Sequence, residues 1–480
     1  MEISTNELRT RVRATEPTEV VGYPAPNAIH KIYDEADLDR ALQAYRFFFP
    51  TVSGMSIFKG HADAGLVANR VFGVLETQPR HVGLTLNSDT PYGPLLLDLR
   101  GGPMVVEVPP GPLMVMAMDV NQRWVADMGL SGPDAGKGGP YLLLPPDYQR
   151  EVPTGYHVSR SSSYRVLVGV RAIPQGGDVE GAARLIQKVK VRPLSLPPHW
   201  QEPRWIDLTP GTQDTSPLAC ESNLDYWRVL HEAVDSEPPA HGWAAQYGEL
   251  AALGIVSGKP FAPEARLRRI LEDAARIGHG QLRAQAFADR RADRVVWPDR
   301  HWEWAALRPE NADFVVNGHL DLEARDKWFY QAIGVSPAMF RRQAGSGLLY
   351  WLGARDRSGA YLDGGNSYSL LLPRPVPAGL FWSVTVYDAE TRSQIRAVQN
   401  RAALRSAVEL RDALAGSGPV ELLFGPTAPG GEGKERRWIQ TVPGKGWFAY
   451  FRLYGPQAAA FDGSWKPGDF TLASQKDPRS

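Results

Sequence analysis

The sequence predicts a mainly β protein: two jelly-roll-like β-sandwich domains joined by a helical segment. Three observations carry this expectation. Short apolar runs separated by Gly and Pro fill residues 61–177 and return over 341–480. The stretch between them has helical spacing and charges of alternating sign. Blocks of the first β-rich stretch also recur, in the same order, in the second. The expected organisation is an N-terminal arm and helix over 1–60 and a first β-domain over 61–177. A helical connection over 178–340 and a second β-domain over 341–480 follow. Short strands with Pro/Gly corners favour jelly rolls, with immunoglobulin-like sandwiches as the alternative.

Residues 1–30 read as a loosely ordered arm. "DEADLDRALQAYRFFFP" then reads as helix, with Asp34 as N-cap and Pro50 as its stop. From Val82 the period changes. "GPLLLDL", "GPMVVEVP", "PLMVMAMDV", "YLLLPPDY" and "YRVLVGVRAIP" are apolar runs of strand length bounded by turn residues. "EGAARLIQKVKV", "LDYWRVLHEAV", "QYGELAALGI" and the long "EARLRRILEDAARIGHGQLRAQAFADRRADRVV" read as helices. The charges of the last alternate in sign, which marks a solvated face and not a nucleic-acid surface. "GGNSYSLLLP", "GLFWSVTVYD", "GPVELLFGP" and "GWFAYFRLYGP" are strands again. In "WFAYFRLY" both alternating faces are largely apolar or aromatic, which predicts a strand in the centre of a sheet.

The repeated blocks are "NSDTPYGPLLLDL" with "VPPGPLMVMAMDVNQR", set against "NSYSLLLP" with "VPAGLFWSVTVYDAETR". "YLLLPP" and "YRVLVGVR" parallel "ELLFGP" and "FAYFRLYG". Two β-domains of similar topology follow from this.

These blocks also carry a resemblance. "NSDTPYGPLLLDLRGGPMVVEVP" with "MAMDVNQRWVADMG" resembles the bacterial domain of unknown function 1254. "LDGGNSYSLLLPRPVPAGLFWSVTVYD" with "WIQTVPGKGWFAYFRLYGPQAAAFDGSWKPGDF" resembles its companion, domain of unknown function 1214. "ALGIVSGKPF" is similar to the family's linker. The resemblance implies two jelly-roll-like domains, a helical connection and a homo-oligomer, and no settled activity. It also implies a basic residue in the first motif, at the place where this chain has Ser88.

Lys+Arg and Asp+Glu both total 53, so no basic field exists to draw nucleic acid or anionic lipid. No apolar run approaches the length of a membrane span, and the polar N-terminal stretch lacks the apolar core of an export signal. The expectation is a cytoplasmic protein. One cysteine, Cys220, forms no intrachain disulfide and reads as a small buried hydrophobe. The ten His show no HxH, HxxxH or HExxH spacing, and neither a P-loop nor a GxSxG elbow is present. No metal and no cofactor is expected.

The remaining candidate is "NSDTPYG". In an extended strand Tyr92 and Asp98 share a face, with Asp89 and Arg100 near the strand's ends. Asp119, Arg123 and Trp124, at the end of another strand, would join them at one rim. Asp89, Tyr92 and Asp98 are the expected catalytic groups. Asn87, Arg100, Asp119, Arg123, Trp124 and Arg452 are the expected substrate contacts. Arg452 stands out because an arginine on a central strand must be paired or line a pocket. The structural alternative is that Asn-Ser-Asp-Thr-Pro only forms a turn and that Asp98 pairs with Arg100. The function expected is a metal-free enzyme using acid/base chemistry, as a hydrolase or lyase, on a small polar organic molecule in a pocket of the first β-domain. A carbohydrate or small-molecule binding protein and an assembly scaffold are the alternatives.

Overall fold

The computed structural model describes residues 19–20, 22–308, 312–340, 342–345, 347–416 and 418–473. Most of the expected arm therefore lies outside the described residues. The apolar runs of the first β-rich stretch form β1 (Tyr92–Asp98), β2 (Met104–Val108), β3 (Leu113–Asp119), β4 (Trp124–Gly129), β5 (Gly139–Leu144), β6 (His157–Arg160), β7 (Arg165–Ala172) and β8 (Lys190–Pro193). They make two four-stranded sheets, ordered β1–β7–β3–β4 and β6–β5–β2–β8. Leu95, Leu97, Val115, Ala117, Val166 and Val168 of one sheet meet Val106, Tyr141 and Leu143 of the other in a shared core.

The second sandwich repeats this plan. Its strands are β9 (Trp302–Trp304), β10 (Leu348–Gly353), β11 (Tyr368–Leu372), β12 (Ala378–Asp388), β13 (Ala403–Arg405), β14 (Val420–Gly425), β15 (Trp438–Gln440), β16 (Trp447–Pro456) and β17 (Thr471–Leu472). The orders are β9–β10–β16–β12–β13 and β15–β14–β11–β17. With β9 set aside, β10 to β17 take the places of β1 to β8 one for one. Each sandwich even has one parallel pair at the same place, β5 with β6 and β14 with β15. The duplication is therefore one of topology, but its register differs from that of the quoted blocks. "NSY" precedes β11, the counterpart of β2, whereas "NSDTPY" leads into β1. The two Asn-Ser motifs are not equivalent.

Two short strands also move the domain edges. β8 pairs with β2 and so extends the first sandwich to Pro193, and β9 pairs with β10 of the second. Edge strands this short carry little periodicity, so they read as part of the helical stretch.

Among the described residues there are seven helices: α1 (Ile29–Asp63), α2 (Val179–Ile186), α3 (Asp225–Ser236), α4 (Ala244–Ala252), α5 (Ala265–Phe287), α6 (Leu322–Gln331) and α7 (Pro337–Phe340). None is long and apolar enough to cross a membrane. α2 packs on the first sandwich through Ala182 and Ile186. α1, α3, α4, α5 and α6 share a separate core that includes Cys220, whose thiol is pushed up to about 12, chiefly by burial.

α1 begins five residues before Asp34 and runs through Pro50 without stopping. Proline inside a helix costs about 3 kcal/mol. Packing offsets that cost here: Phe48, Phe49, Val52 and Ile57 are buried, and Gln122 Nε2 donates to the Pro50 carbonyl at 2.9 Å.

Candidate functional site

The two sandwiches face each other across a cavity of about 200 Å³. Strand alternation places its walls. Leu95, Leu97, Val166 and Val168 point into the first core, so Tyr92, Pro94, Leu167, Gly169 and Arg171 look the other way. Met114, Met116 and Met118 of β3 continue that surface. On β16, Ala449, Phe451 and Leu453 fill the second core. Tyr450 and Arg452 therefore face the first sandwich, beside Leu348 and Tyr350 of β10. His61 from the last turn of α1, together with Trp328 and Ile333, closes a third side. Ser131 and Gly347, both exposed, line the cavity where it meets solvent.

Two arginines dominate the polar part. Arg171 donates from Nε to Thr90 Oγ1 at 2.8 Å, and from Nη2 to Asn87 Oδ1 and the Tyr454 hydroxyl, both at 3.0 Å. Its guanidinium lies 4.9 Å from the Tyr92 ring centre. Arg452 is 2% exposed. Its Nη2 donates to the Thr85 carbonyl at 3.2 Å, while Nε and Nη1 have no partner among the described residues. The rings of Tyr450, Tyr350 and Tyr387 stand 5.1 to 5.5 Å from it. Burial raises the pKa of all three tyrosines, so they stay protonated donors. Asp127, which accepts from Ser336 Oγ at 3.0 Å, is the carboxylate in the wall. Among the described residues no group of three or more His, Cys, Asp or Glu could hold a metal ion.

Residues 71–193 match the family of proteins of unknown function DUF1254, and residues 347–458 match DUF1214. The chain carries DUF1254 followed by DUF1214. The first match takes in β1 to β8 and the second β10 to β16, so the two sandwiches are called DUF1254 and DUF1214. No curated protein matches the chain. Its fold is similar to that of the VPA0106 protein from Vibrio parahaemolyticus, with a TM-score of 0.55 at 18% identity over 91% of this chain and 100% of that one. An uncharacterized protein from Burkholderia cenocepacia aligns over 93% of this chain and 97% of its own, at 11% identity and a TM-score of 0.42.

The structure brings some of the expected site residues together and separates others. Asn87, Tyr92 and Arg452 line the cavity. Asp89 sits behind the wall, buried, with its Oδ2 accepting from Ser383 Oγ and the Tyr454 hydroxyl, both at 2.8 Å. "NSDTPYG" is thus a strap between the two domains. Thr85 N–H donates to the Arg392 carbonyl, and Gln394 Nε2 donates to the Leu86 carbonyl. At Ser88 the cation comes from DUF1214, since Arg405 Nη1 donates to the Ser88 carbonyl at 2.6 Å.

Asp98 and Arg100 do not belong to the cavity. They form an ion pair at 2.8 Å, and Arg100 also donates to the Ser236 carbonyl. Sharing a face of β1 does not bring Asp98 to Tyr92, because six residues of strand span about 20 Å. Asp119, Arg123 and Trp124 form a separate turn. Asp119 accepts from Ser162 Oγ and from Arg123 N–H, Arg123 lies 5.8 Å from the Trp243 ring, and Trp124 is 42% exposed. The pocket is accordingly shared by both sandwiches and is not contained in the first.

Arg171, Tyr350, Tyr450 and His61 were not among the expected residues. Arg171 carries the same signal as Arg452, an arginine flanked by apolar residues within a strand. His61 has no local signal, because only the docking of α1 against both sandwiches brings it to the cavity.

Proposed function

We propose that the cavity between DUF1254 and DUF1214 binds a small organic acid. Its anionic group lies against Arg452 and Arg171, and its apolar body lies along Met116, Met118, Leu167 and Ile333. The observation that carries this reading is Arg452: a buried guanidinium with two nitrogens unpartnered among the described residues. Asp89 and the surrounding tyrosines favour its charge, and the free nitrogens leave it open to an anionic acceptor such as a carboxylate oxygen. Size supports a ring-sized or short-chain molecule, since a cavity of about 150 Å³ holds benzene.

A catalytic reading is favoured by one further observation. The hydroxyls of Tyr92 and Tyr350 have no hydrogen-bond partner among the described residues, and Tyr350 is held protonated by burial. Either hydroxyl is a proton donor for metal-free hydrolysis or elimination. Asp89 then acts as a positioning residue, through Tyr454, on Arg171.

Calorimetric titration with benzoate and hexanoate tests the binding reading. At least one acid binds the wild type, and Arg452→Met weakens it about 10- to 100-fold, the worth of one charge-assisted hydrogen-bond set. Equal affinity in wild type and variant refutes it.

A further inference from the structure

The cavity has a second polar group of residues, remote in sequence from its arginines. His61 lies on the last turn of α1, and Gln213 and Thr215 pass beside that turn. Gly60 is pressed against the Asp214 carbonyl so closely that a Cβ there would lie 2.0 Å from the oxygen. All three side chains line the cavity, and all three are buried. His61 Nδ1 lies 2.9 Å from the Ile57 carbonyl, which only accepts, so Nδ1 carries the proton. Nε2 is therefore a lone-pair acceptor, and it has no partner among the described residues. Burial pushes the imidazole down to about 4, so it remains neutral at ordinary pH. Gln213 Oε1 is likewise buried without a partner. Thr215 Oγ1 is already committed, donating to the Val82 carbonyl at 3.2 Å.

Two unpartnered polar side chains, each more than nine-tenths buried, thus meet one cavity at one place. The chemistry they ask for is specific. His61 Nε2 needs a donor, and the Gln213 amide offers both an acceptor and a donor. A hydroxyl donates its one proton to His61 Nε2 and accepts from Gln213 with the amide turned to present Nε2, whereas an apolar ligand leaves both side chains unpaired at a cost.

We propose that His61 and Gln213 are specificity-determining residues, and that the acid taken by the cavity is a hydroxy acid whose hydroxyl they recognise. This rests on the acid-binding reading given above.

Titration of the full chain with benzoate, 3-hydroxybenzoate and 4-hydroxybenzoate tests it. One of the hydroxylated acids should bind the wild type about fivefold or more tighter than benzoate, the gain of one net hydrogen bond. His61→Phe should reduce that preference to within about twofold, read as the ratio of the two affinities within the variant. Gln213→Leu is an independent second variant in case His61→Phe does not fold, with thermal unfolding as the check. His61→Gln, which keeps an acceptor, should retain part of the preference. If benzoate binds and depends on Arg452 but hydroxylation brings no gain, the inference is wrong and the acid-binding reading stands. A preference that survives both His61→Phe and Gln213→Leu overturns it in the same way. If no acid binds, or if binding ignores Arg452→Met, both fall together.

Discussion

On the acid-binding reading, Arg452 serves binding and not stability. Two of its three nitrogens are unpartnered among the described residues, and three tyrosine faces surround it. A buried charge of this kind is costly, and sites that bind often sacrifice stability. Unliganded Arg452→Met is therefore expected to be at least as stable as the wild type in urea unfolding. A loss of more than about 2 kcal/mol would make the arginine a structural residue. Asp119 gives a second prediction at this scale. Burial raises its pKa to about 6, against the hydrogen bonds from Ser162 and Arg123 that lower it. The folded state therefore holds this proton more tightly than the unfolded chain does. Its favourable contribution is present below about pH 4 and is lost as pH rises through 6, a change of about 3 kcal/mol. Relative to Asp119→Asn, the wild type should lose about that much stability between pH 4 and 7. Parallel pH profiles would rule this out. Arg452 and Tyr92 were legible in the sequence because alternation on a strand is a local rule. Arg171 obeys the same rule and could have been found by it. His61 and Gln213 were not legible, since their neighbours come from segments far apart in the chain. Asp98 misled because a shared face was taken for a shared place.

At the scale of elements, close packing decides where α1 runs. Its glycines mark the contacts: a Cβ at Gly54 would lie 2.0 Å from the Val120 carbonyl oxygen. The backbone of the β3–β4 turn thus rests on the helix. Gly54→Ala is expected to destabilise by 1–3 kcal/mol or more, read as a lower urea midpoint with unchanged slope. A neutral outcome would mean that the turn is free to move away. The strands themselves were legible, because Gly and Pro bound them and their apolar periodicity is strong. Pro50 was not, because tertiary contacts outweigh a local breaker. β8 and β9 were not, because strands of four and three residues carry too little pattern.

For the whole molecule, the central relation is the docking of DUF1254 on DUF1214. The duplication was legible in outline, but its register was not, since strand pairing depends on partners and not on local resemblance. The loop after β12 fixes DUF1214 to the helices. There Arg392, fully buried, pairs with Glu221 at 2.9 and 2.5 Å and donates to the Tyr330 carbonyl at 3.2 Å. Breaking a buried pair leaves a lone charge, which costs about 3–5 kcal/mol. Arg392→Met should lose that much in urea unfolding, and a loss below about 1 kcal/mol would show that the pair does not hold the domains. The cavity exists only because the domains are held face to face, which is why the acid-binding reading is a claim about the whole chain. Its most direct test is a crystal structure with 4-bromobenzoate, located by the anomalous signal of bromine. The account predicts bromine between the two sandwiches, with a carboxylate oxygen about 3 Å from Arg452 Nε or Nη1. Bromine bound only outside the cavity, or a carboxylate turned away from Arg452, would contradict it.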